Sequence, residues 1–469
     1  MTPLEELSGK KIAILGLSIE GSSTAKFLEG LGLSFTVLDQ KSAEQFDPQL
    51  LRDDGNGRIR FILGPRYLDK LGSFDLIFRT PGFPLWHPRL LEAQKSGAKI
   101  TSQTKLFFDL CSCPIIGVTG TKGKGTTSKL AFEMLSSSGF NTFLGGNIGD
   151  PPLDFLPLLK KDSVVVLELS SFQIEDLNKS PHIAVVLMTT QEHLSSQSFD
   201  SPNFHRSREE YVEAKRSIVR FQRADDFAVI NRDYEASKSF AKDTRGQTVF
   251  FSTQSEVDFG SGIEDGWLTV CLKRTCLRLL RKEEVFLRGE HNLQNVLAAA
   301  TAALLFGSKV EKVVEVAKSF KGLEHRLEFV REINSVKYYN DSFSTTPETA
   351  IAAINSFIEP LVLILGGSEK GSDYTELGQA VARSGNIRAV LLVGVTAGKI
   401  KDSILKILGG PRSIDIREGF GSMNEVVGKS FELAKIGDVV LLSPACASFD
   451  MFKNYRDRGH QFKEAVNFL

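Results

Sequence analysis

Residues 117–130, GVTGTKGKGTTSKL, gather glycine, lysine and threonine into one short stretch. This is the chemistry of a phosphate cradle. Glycines let the backbone approach phosphate oxygens, converging N–H groups at a helix N-terminus attract an anion, and a lysine reaches the terminal phosphates. The spelling departs twice from the common G-x-x-x-x-G-K-[ST] pattern. Val118 stands where the first glycine would fall, and Gly125 follows Lys124. Gly125 carries no hydroxyl, so the hydroxyl for a magnesium ion falls to Thr126. Lys124 is the expected cation on the terminal phosphates, and Gly120, Thr121, Lys122, Gly123, Gly125 and Thr127 complete the loop. The competing reading is a glycine turn whose lysines merely face solvent.

Two further segments carry chemistry. In 164–173, VVVLELSSFQ, an apolar run ends on Glu168 and is followed by hydroxyls. A carboxylate at the C-terminal end of a parallel strand beside a phosphate loop can supply a magnesium contact. Taken alone, Glu168 could equally be a strand-end surface residue. In 16–21, GLSIEG, the pattern is G-x-S-x-x-G, and Asp39 ends the next apolar run. By itself this suggests a dinucleotide site, with pyrophosphate on the helix and the acid on a ribose. An NAD-linked oxidoreductase would, however, leave the Lys124 loop without a purpose.

Such groups need strand–turn–helix units to hold them. Apolar runs at 11–16, 34–38 and 74–78, with a helical pattern through 24–28, predict a parallel α/β sheet. The runs 114–118, 163–167 and 183–187 predict a second set, closed by a helix over 292–305. Leu130, Ala131, Met134 and Leu135 form the apolar stripe of the helix leaving the loop, and Gly139 stops it. The runs 337–339, 361–365, 389–393 and 438–442 predict a third set. Three α/β domains follow.

The 469 residues exceed one hydrophobic core. Equal numbers of basic and acidic residues, 57 each, give no support to a nucleic-acid partner. No apolar stretch is long enough to span a membrane or form a secretion signal. Five cysteines without C-x-x-C units predict reduced thiols in a cytoplasm, without a disulfide framework or zinc site.

In chain order, GTKGKGTT, LELSSFQIE, GEHNLQN, GLEHRLEFV, NDSFSTTP and SPACASFDMFKNYRDRG resemble the serial signature of the Mur ligases. These are ATP-dependent amino-acid ligases of peptidoglycan precursor synthesis, and the likeness runs from Lys11 nearly to the C-terminus. It is nearest to the glutamate-adding members. The GKG spelling also occurs in the related folylpolyglutamate synthases, which lack a domain ahead of the ATP loop.

The resemblance implies a Rossmann-like domain over 1–102 that binds the UDP part of a substrate. It implies a P-loop ATPase-like domain over 103–323 and a Rossmann-like amino-acid domain over 324–469. The expected substrates are ATP, UDP-N-acetylmuramoyl-L-alanine and glutamate, used by a cytoplasmic monomer. Glu168 and His193 match magnesium ligands, and Lys215 matches a lysine carried as a carbamate beside the second of two Mg2+ ions. From the residues alone, His193 reads as a loop histidine and Lys215 as a solvated helix lysine. Asn295, Arg326 and Asp341 match nucleotide contacts supplied across a domain junction that closes on ATP.

Toward the UDP substrate the matching positions are Ser18, Ile19, Glu20, Asp39 and Gln40, then Thr80, Gly82, Asn147, Ser170 and Gln173. Glu20 and Gln40 depart from the commonest residues there. Thr345, Lys370, Ser448, Phe449 and Tyr455 match the glutamate pocket, where a cation and hydroxyls suit a dicarboxylic amino acid. Thr346-Pro347-Glu348 reads as an N-cap and first helical turn. Phe343 stands where the family's N-D-S-K-A-T has lysine. D-glutamate is the expected amino acid, with an L-glutamate-adding branch as the alternative.

Overall fold

The computed structural model describes residues 3–46, 48–51, 57–190, 204–272, 275–369, 371–408 and 414–469. The first sheet contains β1 (Ile12–Leu15), β2 (Phe35–Asp39), β3 (Ile59–Leu63), β4 (Leu76–Arg79) and β5 (Lys99–Ser102) in the order β3-β2-β1-β4-β5. All neighbours are parallel. Every residue of β1 and β4 is buried, as expected of strands covered on both faces.

The second sheet holds nine strands: β6 (Ile115–Thr119), β7 (Asn141–Gly146), β8 (Ser163–Glu168), β9 (Ile183–Val186), β10 (Phe227–Asn231), β11 (Gln247–Phe251), β12 (Gly260–Glu264), β13 (Trp267–Leu272) and β14 (Thr275–Arg281). Their order is β14-β13-β12-β11-β10-β9-β6-β8-β7. Pairing is parallel from β7 through β12 and antiparallel across β12, β13 and β14. The antiparallel end turns at Asp265-Gly266, where both residues have positive φ (51° and 79°). Such a two-residue Asp-Gly turn matches the twist of a hairpin.

This hairpin edge corrects the expectation for the cysteines. Cys271 of β13 lies directly opposite Cys276 of β14, with Cα atoms 4.0 Å apart, and the two form a disulfide. The pairing arises from cross-strand register, which the spacing in sequence does not reveal. Cys111, Cys113 and Cys446 are free thiols.

The third sheet comprises β15 (Glu328–Ile333), β16 (Val336–Asn340), β17 (Leu361–Gly366), β18 (Ile387–Val393), β19 (Asp415–Arg417) and β20 (Val439–Leu442), in the order β15-β16-β20-β17-β18-β19. Only β15 pairs antiparallel, through a turn at Asn334-Ser335.

Three sheets nevertheless make two compact units. One is Met1–Glu284 with Gln294–Lys318, and the other is Val285–Leu293 with Ser319–Leu469. The first two sheets share a continuous apolar core in which Ile14, Phe78, Phe107, Phe155, Val165 and Ile230 take part. Phe107 on the helix Gln103–Leu110 meets Phe155 edge-on at 5.7 Å. That core removes the solvent gap by which two sheets would separate into independent units. Among the described residues, no helix is long and apolar enough to cross a membrane.

Candidate active site

β6 delivers the chain into the glycine-rich loop, and the helix Lys124–Ser137 leaves it. Gly123 occupies the N-cap position with φ +86°, and a Cβ there would lie 2.3 Å from Asn295 Oδ1. Both the left-handed backbone and the close approach require glycine. Thr127 Oγ1 donates to Asn295 Oδ1 at 3.2 Å, tying the loop helix to the helix Glu290–Phe306. Thr121 is fixed from two sides, by its N–H to the Met188 carbonyl (2.7 Å) and by its hydroxyl against Tyr211 OH (3.0 Å).

Two ammonium groups converge here. Lys124 Nζ donates to the carbonyls of Gly120 (3.1 Å) and Thr121 (2.9 Å). Lys215, on the helix Arg208–Arg220, donates to the same Gly120 carbonyl at 3.0 Å. Lys215 is only 1% exposed and lies 4.6 Å over the Tyr211 ring. It is therefore a buried lysine rather than a solvated one. Tyr211 escaped the sequence reading, although its i, i+4 spacing from Lys215 placed both on one helical face. His205, also missed, stacks on Phe172 at 4.4 Å and pairs its Nε2 with Ser171 Oγ at 2.9 Å. It stands outside a regular helical pattern, and nothing in its sequence neighbourhood signals the contact.

Glu168 ends β8 and lies in register with Val118 of β6, which places it beside the loop. It is 2% exposed, and Asn147 Nδ2 donates to its Oε1 at 3.1 Å. Its Oε2 is buried and has no hydrogen-bond partner among the described residues. An open, buried carboxylate oxygen suits a hard divalent cation, and Thr126 in the first turn of the loop helix is the nearby hydroxyl in sequence. These residues fit magnesium. His193 lies outside the described residues.

The first sheet builds a second loop in the same unit. Gly16 has φ +95°, and a Cβ on Gly21 would fall 1.9 Å from the Gly16 carbonyl oxygen. Thr80 Oγ1 donates to the Leu15 carbonyl at 2.8 Å, closing the turn against β4. Asp39 accepts from the N–H groups of Leu17 (2.8 Å) and Lys41 (2.9 Å), so both carboxylate oxygens brace the turn. Gln173 Nε2 donates to Glu20 Oε1 at 2.6 Å, and its Oε1 accepts from the Ser170 N–H. Burial pushes the Glu20 carboxyl up, partly opposed by the Gln173 bond. Ser18, Ile19, Gln40 and Asn147 are exposed, while Gly82 is half-buried.

Arg79, missed in the sequence, is buried directly before Thr80. It donates to the Phe172 carbonyl at 2.8 Å and pairs with Glu175 at 3.0 Å. Burial pushes the Glu175 carboxyl up to about 7.

In the second unit, Asp341 follows β16. Ser443 Oγ donates to its Oδ2 at 2.7 Å and the Leu327 N–H to its Oδ1 at 3.1 Å. Burial pushes this carboxyl up to about 7 against those bonds. Arg458 lies within the SPACASFDMFKNYRDRG segment. Fully buried, it donates to Ser342 Oγ (2.9 Å) and to the carbonyls of Ser342 (2.9 Å), Ala447 (3.2 Å) and Cys446 (3.0 Å). One guanidinium thus fastens the loop leading to Thr345 to the loop leading to Ser448 and Phe449. Ser448 is buried, Thr345 and Tyr455 are half-buried, and Phe449 is 69% exposed. Thr346 caps the helix Pro347–Ile354. Lys370 lies outside the described residues.

Three family models match successive parts of the chain. They are a Mur ligase MurD-like N-terminal domain over residues 10–102, a Mur ligase middle domain over 118–303 and a Mur ligase glutamate ligase domain over 325–446. The chain is 39% identical to the UDP-N-acetylmuramoylalanine--D-glutamate ligase of Acetivibrio thermocellus, covering 99% of this chain and 97% of that protein. It is 37% identical to the enzyme of the same name from Clostridium novyi, covering 99% and 98%. The fold is similar to that of the MurF ligase of Thermotoga maritima, solved in complex with ADP. That likeness has a TM-score of 0.58 at 18% identity over 97% of this chain and 94% of the other. With all three domain types in order and relatives matched end to end, the chain belongs to the Mur ligase family.

Proposed function

We propose that this protein uses ATP to join D-glutamate to UDP-N-acetylmuramoyl-L-alanine in peptidoglycan precursor synthesis. The observation that carries the reading is the convergence of Lys124, Lys215 and Glu168 on one glycine-rich loop, in a chain whose full-length relatives bear that enzyme name. A carboxylate oxygen of the L-alanyl end bonds to the γ-phosphorus of ATP as the bond to the β–γ bridging oxygen breaks, giving an acyl phosphate and ADP. The glutamate amine attacks its carbonyl carbon, and the tetrahedral intermediate expels phosphate as the amide forms.

Both steps gather negative charge, so the site's main task is to present fixed cations and N–H donors to developing oxyanions. Lys124 serves the γ-phosphoryl oxygens, while the N–H groups of residues 121–126 and the hydroxyls of Thr126 and Thr127 hold the phosphates. Thr126, Glu168, His193 and a carbamylated Lys215 would hold two Mg2+ ions, which supply charge neutralisation when bound. The carbamate turns a cation into an anion at Lys215, using the buried position beside Thr119 and Gly120.

Ser18, Ile19, Glu20, Asp39, Gln40, Thr80, Gly82, Asn147, Ser170 and Gln173 receive the UDP substrate. Asn295, Arg326 and Asp341 contact the nucleotide, and Thr345, Lys370, Ser448, Phe449 and Tyr455 contact glutamate. Domain boundaries after residues 102 and 323, and a monomeric cytoplasmic enzyme, belong to the same proposal.

Phe343 favours keeping L-glutamate as a second reading, because the family's lysine is absent there. Phosphate release with UDP-N-acetylmuramoyl-L-alanine and ATP is expected to be at least tenfold faster with D-glutamate than with L-glutamate or L-lysine. That corresponds to roughly 1.4 kcal/mol or more in transition-state binding. Faster turnover with L-glutamate would overturn the stereochemical assignment. Release that ignores the amino acid would overturn the ligase reading.

A further inference from the structure

The substitution at residue 343 has a structural counterpart within the second unit. The Arg326 guanidinium lies over the Phe343 ring, its central carbon 3.8 Å from the ring centroid. The ring is itself held edge-on by Tyr455, at 5.0 Å and 88°. Among the described residues, no hydrogen bond or ion pair is made to the Arg326 guanidinium. Its backbone is pinned on both flanks. The His325 N–H donates to Glu328 Oε2 (2.9 Å), the Leu327 N–H to Asp341 Oδ1 (3.1 Å), and the Phe343 N–H returns to the His325 carbonyl (3.0 Å). His325 and Leu327 both adopt left-handed backbone conformations, with φ of 65° and 45°. A non-glycine pair in that region is local strain maintained by its surroundings.

An aromatic face holds a guanidinium by its electron-rich quadrupole and leaves every N–H free. A carboxylate partner would occupy those donors, and a lysine at 343 would repel the guanidinium. We infer that Phe343 is a positioning residue for nucleotide binding, which stacks Arg326 in place and leaves its fork of N–H donors open to the phosphates or ribose of a nucleoside triphosphate. The inference rests on the proposed ATP-dependent function, and gives Phe343 a role toward the nucleotide beside its ring contact with Tyr455 of the proposed glutamate pocket.

The test uses the full-length protein and the non-hydrolysable analogue AMP-PNP, with affinity read by titration calorimetry. Phe343→Leu keeps an apolar residue at a position already 38% exposed and removes only the π face. It is expected to weaken AMP-PNP at least fivefold and to raise KM for ATP by a similar factor. KM for glutamate and the melting temperature should remain near wild type. Phe343→Tyr, which retains the face, should bind AMP-PNP within about twofold of wild type. Unchanged AMP-PNP affinity in Phe343→Leu would overturn the inference, as would a rise confined to the KM for glutamate. Failure of the wild-type protein itself to bind AMP-PNP would instead overturn the ATP-dependent function, and this inference with it.

Discussion

Replacing Lys124 with alanine is expected to lower kcat/KM by at least a hundredfold, about 2.7 kcal/mol of transition-state stabilisation. The melting temperature should stay within a few degrees of wild type. The loop is built by other contacts: Gly123 against Asn295, Thr127 to Asn295, and Thr121 to Met188 and Tyr211. Lys124 donates to loop carbonyls, which a phosphate group can replace as the partner of its ammonium. Its removal therefore takes a cation from the transferred phosphoryl group and leaves the core intact. Steady-state phosphate release and a thermal melt of the same preparation check both halves. Near-normal turnover would remove the loop from the mechanism.

Lys215→Ala is expected to be inactive under standard assay conditions and to recover several-fold in formate or acetate. A lysine 1% exposed, stacked over Tyr211 and directed at the Gly120 carbonyl, occupies a volume that a small carboxylate can fill once the side chain is removed. If the native group is a carbamate, the missing element is a delocalised anion, which formate supplies and chloride does not. A rate series in formate, acetate and chloride at constant ionic strength separates this from a general salt effect. Full activity without any added anion would show that Lys215 plays no part in the reaction. Equal recovery in chloride would argue against the carbamate.

Much of the first unit could be read in the sequence because its central strands are continuous apolar runs ending on polar groups. β1, β6 and β8 all behave this way, and the proposed site groups lie where those runs end, at Gly16, Gly120 and Glu168. Buried parallel strands keep their signal local. The antiparallel edge strands did not. β14 is mostly exposed and its burial does not alternate, and the Asp265-Gly266 turn that joins β12 to β13 went unread in the sequence. The disulfide was missed for the same reason, since only cross-strand register brings Cys271 to Cys276.

The buried guanidinium groups were equally illegible. Arg79 and Arg458 bind carbonyls far away in sequence, at separations of 93 for Phe172 and 116 for Ser342. A single arginine in a chain carries no mark of being buried. The core shared by the first two sheets includes the meeting of Phe107 with Phe155, a tertiary contact that element-by-element periodicity cannot encode.

The most direct test of ATP-driven amide formation follows oxygen from the L-alanyl carboxylate. UDP-N-acetylmuramoyl-L-alanine labelled with 18O in that carboxylate would be incubated with ATP, D-glutamate and the enzyme, and both products read by mass spectrometry. The account predicts that one labelled oxygen appears in the released phosphate, while the sugar nucleotide gains one glutamate through an amide and keeps the other label. Unlabelled phosphate, or phosphate formed without a glutamate-bearing product, would contradict it.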